Sequence, residues 1–295
     1  MDTGFAQNGP IKLHYRASGV RDSSAPMLLF LHGFPEFSGA WDAMLAHFSA
    51  THFSVAPDLR GFGGSDKPLE VTAYKPGALM SDIAALIHHF DRQKAILIAH
   101  DWGGALAWGF AARHAAMVEK LIILNAPHAV PFAHALATDA AQQKASHYML
   151  KLRLHGMEER LRADDGRALA AMFNHPVSGQ SVLPSELLAT YRKNWQQPGA
   201  LEAMLNYYRV TPLLPPTPEQ PGAAALALDP AQFAVLVPTL VIWGMKDQAL
   251  LPVLLNGLND LVPELRIEQL ENAGHFCAHE DPARIASLIE DFLAG

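Results

Sequence analysis

A chain of 295 residues, 50% hydrophobic and 17% charged, carries enough apolar material for a sizeable core and too much for disorder. A formal net charge of −7 with no Lys/Arg run excludes a basic footprint for nucleic acid, and a single cysteine, Cys277, excludes an intrachain disulfide. Apolar runs such as MLLFL and LIIL are far shorter than a bilayer span, and the N-terminal MDTGFAQNGP lacks a basic segment followed by an apolar stretch, so a cytoplasmic protein with no membrane span is expected.

In chain order, IKLHYRASG (11–19) and MLLFL (27–31) read as strands, the second apolar throughout and so covered on both faces. SGAWDAMLAHFSA (38–50) spaces Trp41, Leu45 and Phe48 as a helix does, and FSVAPDL (53–59) returns to a strand pattern. The alternation continues with a helix over 78–90, the strand KAILIAH (94–100), a helix over 103–114 and the strand EKLIILNAP (119–127). This order predicts a mainly parallel sheet with right-handed crossovers. From about 130 to 230 the chain reads as helices and loops, with proline-rich connections such as TPLLPPTPEQPG. PTLVIWG (238–244), LRIEQL (265–270) and a terminal helix over 283–295 then resume the sheet pattern. The expected division is a core over 1–129 and 231–295 with a helical cap, 130–230, inserted between its two parts.

Ligands of open parallel sheets collect beyond the carboxyl ends of the strands, so the residues after each apolar run are the candidates for chemistry. Asp101, in AHDWGG, sits at a strand-to-helix turn where a nucleophile elbow holds its nucleophile, although Asp is also a favoured helix cap. Asp247 follows TLVIWG, and His275 follows the last strand beside Gly274. Asp101, Asp247, His275 is the chain order nucleophile, acid, base of an α/β-hydrolase fold. A carboxylate nucleophile attacking an electrophilic sp3 carbon leaves an alkyl ester, which water activated by His275 must then hydrolyse. The backbone N–H groups of Phe34 and Trp102 are placed to stabilise the oxyanion that forms on the aspartate itself.

The segments HGFPEFSGAW (32–41), DLRGFGGSDKP (58–68), HDWGG (100–104), LNAP (124–127), WGMKD (243–247) and GHF (274–276) resemble the epoxide hydrolases of the α/β-hydrolase superfamily, whose Asp-nucleophile branch includes haloalkane and haloacetate dehalogenases. The resemblance spans nearly the whole chain. It implies a helical cap after the sixth strand, with Asp101 as nucleophile, Asp247 as acid and His275 as base. It also implies cap tyrosines that give a proton to the opened epoxide oxygen. In LNYYR (205–209) Tyr208 takes that position. In ASHYMLKLRLHG (145–156) Tyr148 lies one helical turn before the usual place of the second donor, where Lys151 stands; Tyr148, Lys151 and His147 compete for the role, or Tyr208 acts alone.

The alternative chemistry, haloalkane or haloacetate dehalogenation, needs halide donors in place of an acid. Phe34 stands where haloalkane dehalogenases often have Asn, and Trp102 and Ala105 stand where haloacetate dehalogenases carry arginines; both departures favour the epoxide. Trp195 is a further candidate halide donor whose ordinary reading is packing. A non-enzymatic binding protein on the same fold is the structural alternative. Asp101 in place of serine disfavours an esterase.

The remaining chemistry-bearing residues take structural readings. His275, Cys277 and His279 have metal-ligand types, but a metal would consume the base, so neither metal nor cofactor is expected. RGFGG (60–64) lacks the Lys-Ser/Thr of a phosphate loop and reads as a turn supported by Asp58 and Arg60. Asn125 stands after a strand where some relatives place the acid, yet its amide is neutral and Asp247 is the better candidate. The expected partners are a small apolar or amphipathic electrophile and water.

Overall fold

Strand residues alternate between two faces, so a run apolar at every position needs cover on both. The computed structural model, which describes residues 1–22 and 25–295, meets that need with helices on either side of one sheet. Its strands are β1 (Asp2–Asn8), β2 (Ile11–Gly19), β3 (Met27–Leu31), β4 (Phe53–Pro57), β5 (Ala95–His100), β6 (Val118–Leu124), β7 (Thr239–Gly244) and β8 (Leu265–Leu270). They are ordered β1-β2-β4-β3-β5-β6-β7-β8. β2 is antiparallel to β1 and β4, and all other pairings are parallel. β1 went unanticipated because DTGFAQN buries only Ala6 and shows no usable apolar pattern.

Along β3 and β5, Leu29, Leu31, Leu97 and Ala99 face one apolar cluster, while Leu28, Phe30, Ile96 and Ile98 face the other. Helices α1 (Asp42–His47), α2 (Pro76–His89) and α3 (Asp101–Arg113) link the strands. Ile83 and Ile87 of α2 and Phe110 of α3 join the first cluster, and Met44 and Leu45 of α1 the second. Fully burying each such aliphatic side chain contributes about 1.5–3 kcal/mol, so both faces are strongly held.

Between β6 and β7 the chain leaves the sheet as an inserted helical cap. It contains α4 (Ala129–Thr138), α5 (Ala140–Ala145), α6 (His147–Leu152), α7 (Met157–Met172), α8 (Ser185–Trp195) and α9 (Ala200–Val210). α7 is kinked at Ala163–Gly166, where Asp164, Asp165 and Gly166 have positive φ. After β8 come the short α10 (Cys277–Glu280) and then α11 (Pro282–Ala294), which packs Ile285, Leu288 and Ile289 against the second cluster.

The cap is tied to two core loops. The Trp195 indole donates to the Pro35 carbonyl at 2.7 Å, and the Tyr207 hydroxyl donates to that of Arg60 at 2.9 Å. Among the described residues no helix is long and apolar enough to cross a membrane.

Candidate active site

β5 passes into α3 with no intervening loop: His100 is extended, and Asp101 has φ 49°, a left-handed value that a non-glycine residue adopts only when its surroundings force it. Two glycines make room for this turn. A Cβ on Gly103 would collide with the Leu31 and His32 carbonyls, and one on Gly33 with the Asp101 side chain. The α3 N-terminus favours a negative charge at Asp101.

Asp247 and His275 reach the same place from the ends of β7 and β8. His275 Nδ1 lies 2.7 Å from Asp247 Oδ2, and its Nε2 lies 3.6 Å from Asp101 Oδ2. Asp247 is aimed by its other contacts: Oδ2 accepts from Asn125 Nδ2 at 2.8 Å, and Oδ1 accepts the Ala249 and Leu250 N–H groups at 2.8 and 2.9 Å. Burial pushes the Asp247 carboxyl up, but the His275 charge and these bonds win and hold it below its ordinary value. Burial likewise pushes His275 down, yet Asp247, followed by Asp101 and Glu36, raises it to about 9.

Asp101 Oδ1 accepts the Phe34 N–H at 2.8 Å, in a turn whose Phe34–Pro35 peptide bond is cis. Trp102 occupies the first turn of α3, where backbone N–H groups have no partner within the helix. Its ring meets that of Tyr208 edge-on at 5.1 Å. Tyr208 on α9 also packs edge-on against Phe34 at 5.3 Å, and Tyr148 on α6 lies 6.2 Å from it, ring centre to ring centre.

A cavity of about 420 Å³ is bounded by Asp101, Tyr148, Tyr208, Asp247, His275 and Lys151, among others. Burial, then nearby Asp101, drives the Tyr148 hydroxyl up; burial, then Tyr148 and Asp101, does the same to Tyr208, so both keep their protons at neutral pH. The structure thus brings Tyr148 and Lys151 to the cavity and leaves His147 exposed outside its lining. Trp195 is buried with its indole committed to Pro35.

A charged cluster behind the site escaped the sequence reading. Buried Glu36 accepts from His100 Nδ1 at 2.9 Å, from His279 Nε2 at 2.8 Å and from the Tyr191 hydroxyl at 3.3 Å. Burial pushes Glu36 up, but the two histidines hold it well below the usual carboxylate range. The other ring nitrogen of His100 donates to the His275 carbonyl at 2.9 Å, so the cluster braces the loop that carries the imidazole. The available signal was a Glu in a turn followed by a His just before the elbow, at positions that only the fold joins.

His279 is therefore engaged with Glu36, and Cys277 is buried in the second apolar cluster. Asp58 accepts from His14 and from the Ser38 and Gly64 N–H groups, and Arg60 pairs with Asp82 at 2.6 Å, consistent with a structural turn at RGFGG.

Comparison with known proteins agrees with this geometry. Residues 26–282 match the family model for the alpha/beta hydrolase fold. The chain is 36% identical to epoxide hydrolase 3 of Xenopus tropicalis over 96% of this chain and 75% of that protein, and 35% identical to the AB hydrolase superfamily protein YfhM of Bacillus subtilis over 98% and 96%. It superposes on a Bacillus megaterium epoxide hydrolase crystallised with an inhibitor, with a TM-score of 0.89 and 30% identity over 99% of this chain and all of the other. Elbow, sheet order, inserted cap and whole-length likeness converge: this hydrolase belongs to the epoxide hydrolases of the α/β-hydrolase fold.

Proposed function

We propose that the chain hydrolyses an epoxide to a vicinal diol through a covalent ester on Asp101. The observation that carries this reading is the Asp101 carboxyl group at the elbow, lining one cavity with the hydroxyls of Tyr148 and Tyr208, both pushed up by burial. Asp101 Oδ2, the oxygen not engaged by Phe34, attacks a ring carbon and the carbon–oxygen bond of the ring breaks. Tyr208, assisted by Tyr148, gives a proton to the departing oxygen, leaving a hydroxyalkyl ester and a tyrosinate.

Hydrolysis then falls to the core residues. His275 takes a proton from water, and the hydroxide adds to the carboxyl carbon of Asp101. The charge builds on Oδ1, where the Phe34 and Trp102 N–H groups form the oxyanion hole. Collapse releases the second diol oxygen, which takes the acid proton of Asp101, and His275 returns its proton to the tyrosinate. Asp247 holds the imidazole and stabilises its cation. Residues 130–230 act as the cap that supplies the tyrosines, and residues 1–129 and 231–295 as the core that supplies the rest.

The substrate is a small apolar or amphipathic epoxide, and water is the second reactant. The dehalogenase alternative draws no support from the Trp195 indole, which donates to the Pro35 carbonyl.

The test is a single turnover of styrene oxide in oxygen-18 water, with the Asp101 peptide and the diol analysed by mass spectrometry. Label is expected in Asp101 and not in the first diol, and His275→Gln is expected to accumulate the ester. Label appearing directly in the diol, with no trapped ester, would overturn the covalent route.

A further inference from the structure

Asp247 meets His275 from the loop after β7, and two successive N–H groups of that loop, those of Ala249 and Leu250, donate to its Oδ1. A loop has no strand ladder to fix its peptide planes, so their direction must be set by other partners. Here the partner is a side chain of the cap. Gln142 on α5 is fully buried. Its Nε2 donates to the Ala249 carbonyl and to the Ser146 hydroxyl, each at 2.8 Å, and its Oε1 accepts the Leu251 N–H at 2.9 Å.

A peptide unit is planar and trans, so its C=O and N–H point in opposite directions. The Ala249 carbonyl and the Leu250 N–H belong to one such unit. Gln142 therefore grips from one side the plane that holds Asp247 from the other, and turning that plane would break both bonds together. The next unit, between Leu250 and Leu251, is gripped by Gln142 Oε1. A glutamine amide offers two N–H donors and one acceptor oxygen, and all three are engaged. The partners also fix which end is which, since a carbonyl only accepts and an N–H only donates.

The third contact points toward the cap tyrosine. Ser146, buried between α5 and α6, donates its N–H to the Gln142 carbonyl at 2.8 Å and stands two residues before Tyr148. One side chain thus touches the loop of the acid and the turn from which α6 starts.

Building on the ester route above, we propose that Gln142 is a positioning residue for Asp247: the cap holds the peptide that aims the acid, and through it the Nδ1 side of His275. The cap then contributes to ester hydrolysis as well as to ring opening. Without the clamp, Asp247 keeps Asn125 and His275 on Oδ2, so the pair persists with a looser aim. Small misplacements of reacting groups are costly, and a loss of about tenfold in the step that uses the base is expected.

The experiment compares wild type, Gln142→Leu and Gln142→Glu in single turnovers of styrene oxide. Rapid quench reads ester formation and ester hydrolysis separately, and NMR follows the proton between His275 Nδ1 and Asp247. Gln142→Leu keeps the bulk and removes all three bonds. It is expected to slow hydrolysis by about tenfold, to slow ester formation by less, and to move the His275 proton upfield. Gln142→Glu keeps the shape. Protonated, the introduced carboxyl restores the bonds to Ala249 and Leu251; ionised, it repels the Ala249 carbonyl. Burial favours the protonated form, as does Asp139, whose Oδ1 accepts the Gln142 backbone N–H at 2.7 Å, and so does Asp247 across the clamped peptide. Hydrolysis by Gln142→Glu relative to wild type at the same pH is expected to rise from about pH 8 toward about pH 5, the ratio cancelling the shared loss of base as His275 protonates.

In a folded Gln142→Leu, hydrolysis within about twofold of the wild type, or an unmoved His275 proton, overturns the proposal and leaves Gln142 a packing residue. Equal slowing of both steps also overturns it, because the effect would then lie at Asp101 or the tyrosines. Where Gln142→Leu does not fold, Gln142→Glu decides, and a relative rate flat with pH overturns the proposal. Absence of any Asp101 ester in the wild type removes the route beneath it, and the His275 proton in Gln142→Leu and Gln142→Glu then still reads whether Gln142 aims Asp247.

Discussion

The two halves of the site are built on different mechanical principles. On the core side, Asp101 directly follows β5, and Asp247 and His275 lie in the loops after β7 and β8, strands whose places are set by the register of one sheet; His275 lies 2.7 Å from Asp247 and 3.6 Å from Asp101. On the cap side, Tyr148 and Tyr208 project from α6 and α9, and their approach depends on aromatic packing against Phe34, Trp102 and each other. A hydrogen-bonded sheet holds atoms to a fraction of an ångström, which nucleophilic attack requires. Packed helices can shift by small steps, which lets a substrate enter. In the proposed mechanism, covalent chemistry therefore sits on the rigid side and proton donation and substrate shape on the adaptable one.

The largest effect expected from breaking this division is on the core side. Asp101→Ala removes the nucleophile, and steady-state turnover should fall by at least about 10⁴-fold while the thermal melt stays close to that of the wild type. Substantial residual diol formation would mean that water attacks the epoxide directly and that the core serves as a general base. The cap-side counterpart is smaller. Tyr208→Phe keeps the ring packing and removes one donor, and with Tyr148→Phe added the rate of ester formation should drop by about 10²- to 10⁴-fold. Single replacements should each cost less, because the partner covers part of the loss. Rapid-quench measurement of the Asp101 ester separates this step from hydrolysis, which the tyrosine changes should slow less.

A third measurement couples the two chemical steps through charge. His275 is pushed down by burial but raised to about 9 by Asp247 first and by Asp101 and Glu36 after it, so in the free enzyme the imidazole is protonated at neutral pH. Alkylation of Asp101 erases one of the charges that raise it. The imidazole then titrates lower, in the direction that favours its acting as a base. Asp101→Asn mimics that loss of charge, and NMR titration should place the His275 ionisation lower by about one pH unit. Ester hydrolysis should accordingly slow as pH falls through the lowered value, since protonation removes the base. An unchanged titration in Asp101→Asn would assign the whole rise to Asp247 and Glu36.

The same division explains what could be read from the chain. That Asp101, Asp247 and His275 come together was legible because strand-ending apolar runs mark where a parallel sheet opens, and each of the three lies beyond one. The choice among Tyr148, Lys151 and His147 was not legible, because it depends on the rotation of a six-residue helix against its neighbours. Glu36, His100 and His279 were missed for a related reason. Each is an ordinary polar residue in its own window, and only the approach of a turn, the end of β5 and α10 makes them one buried cluster. β1 was missed because an edge strand with one buried side chain carries almost no pattern.

The smallest expected effect is the sharpest check on the cap. His147 and Tyr148 are adjacent on α6, so their side chains diverge by about 100° around the axis. Tyr148 turns to the cavity, and His147, exposed at the first position of the helix, turns to water. An exposed side chain without a structural task usually contributes within about 0.5 kcal/mol. His147→Gln should therefore leave single-turnover ester formation within about twofold of the wild type. Tyr148→Phe, one residue away, should slow the same step measurably. If the order were reversed, with His147→Gln costing tenfold or more and Tyr148→Phe costing nothing, α6 would be rotated by one residue relative to α9 during catalysis. Proton donation would then pass from a phenol to an imidazole.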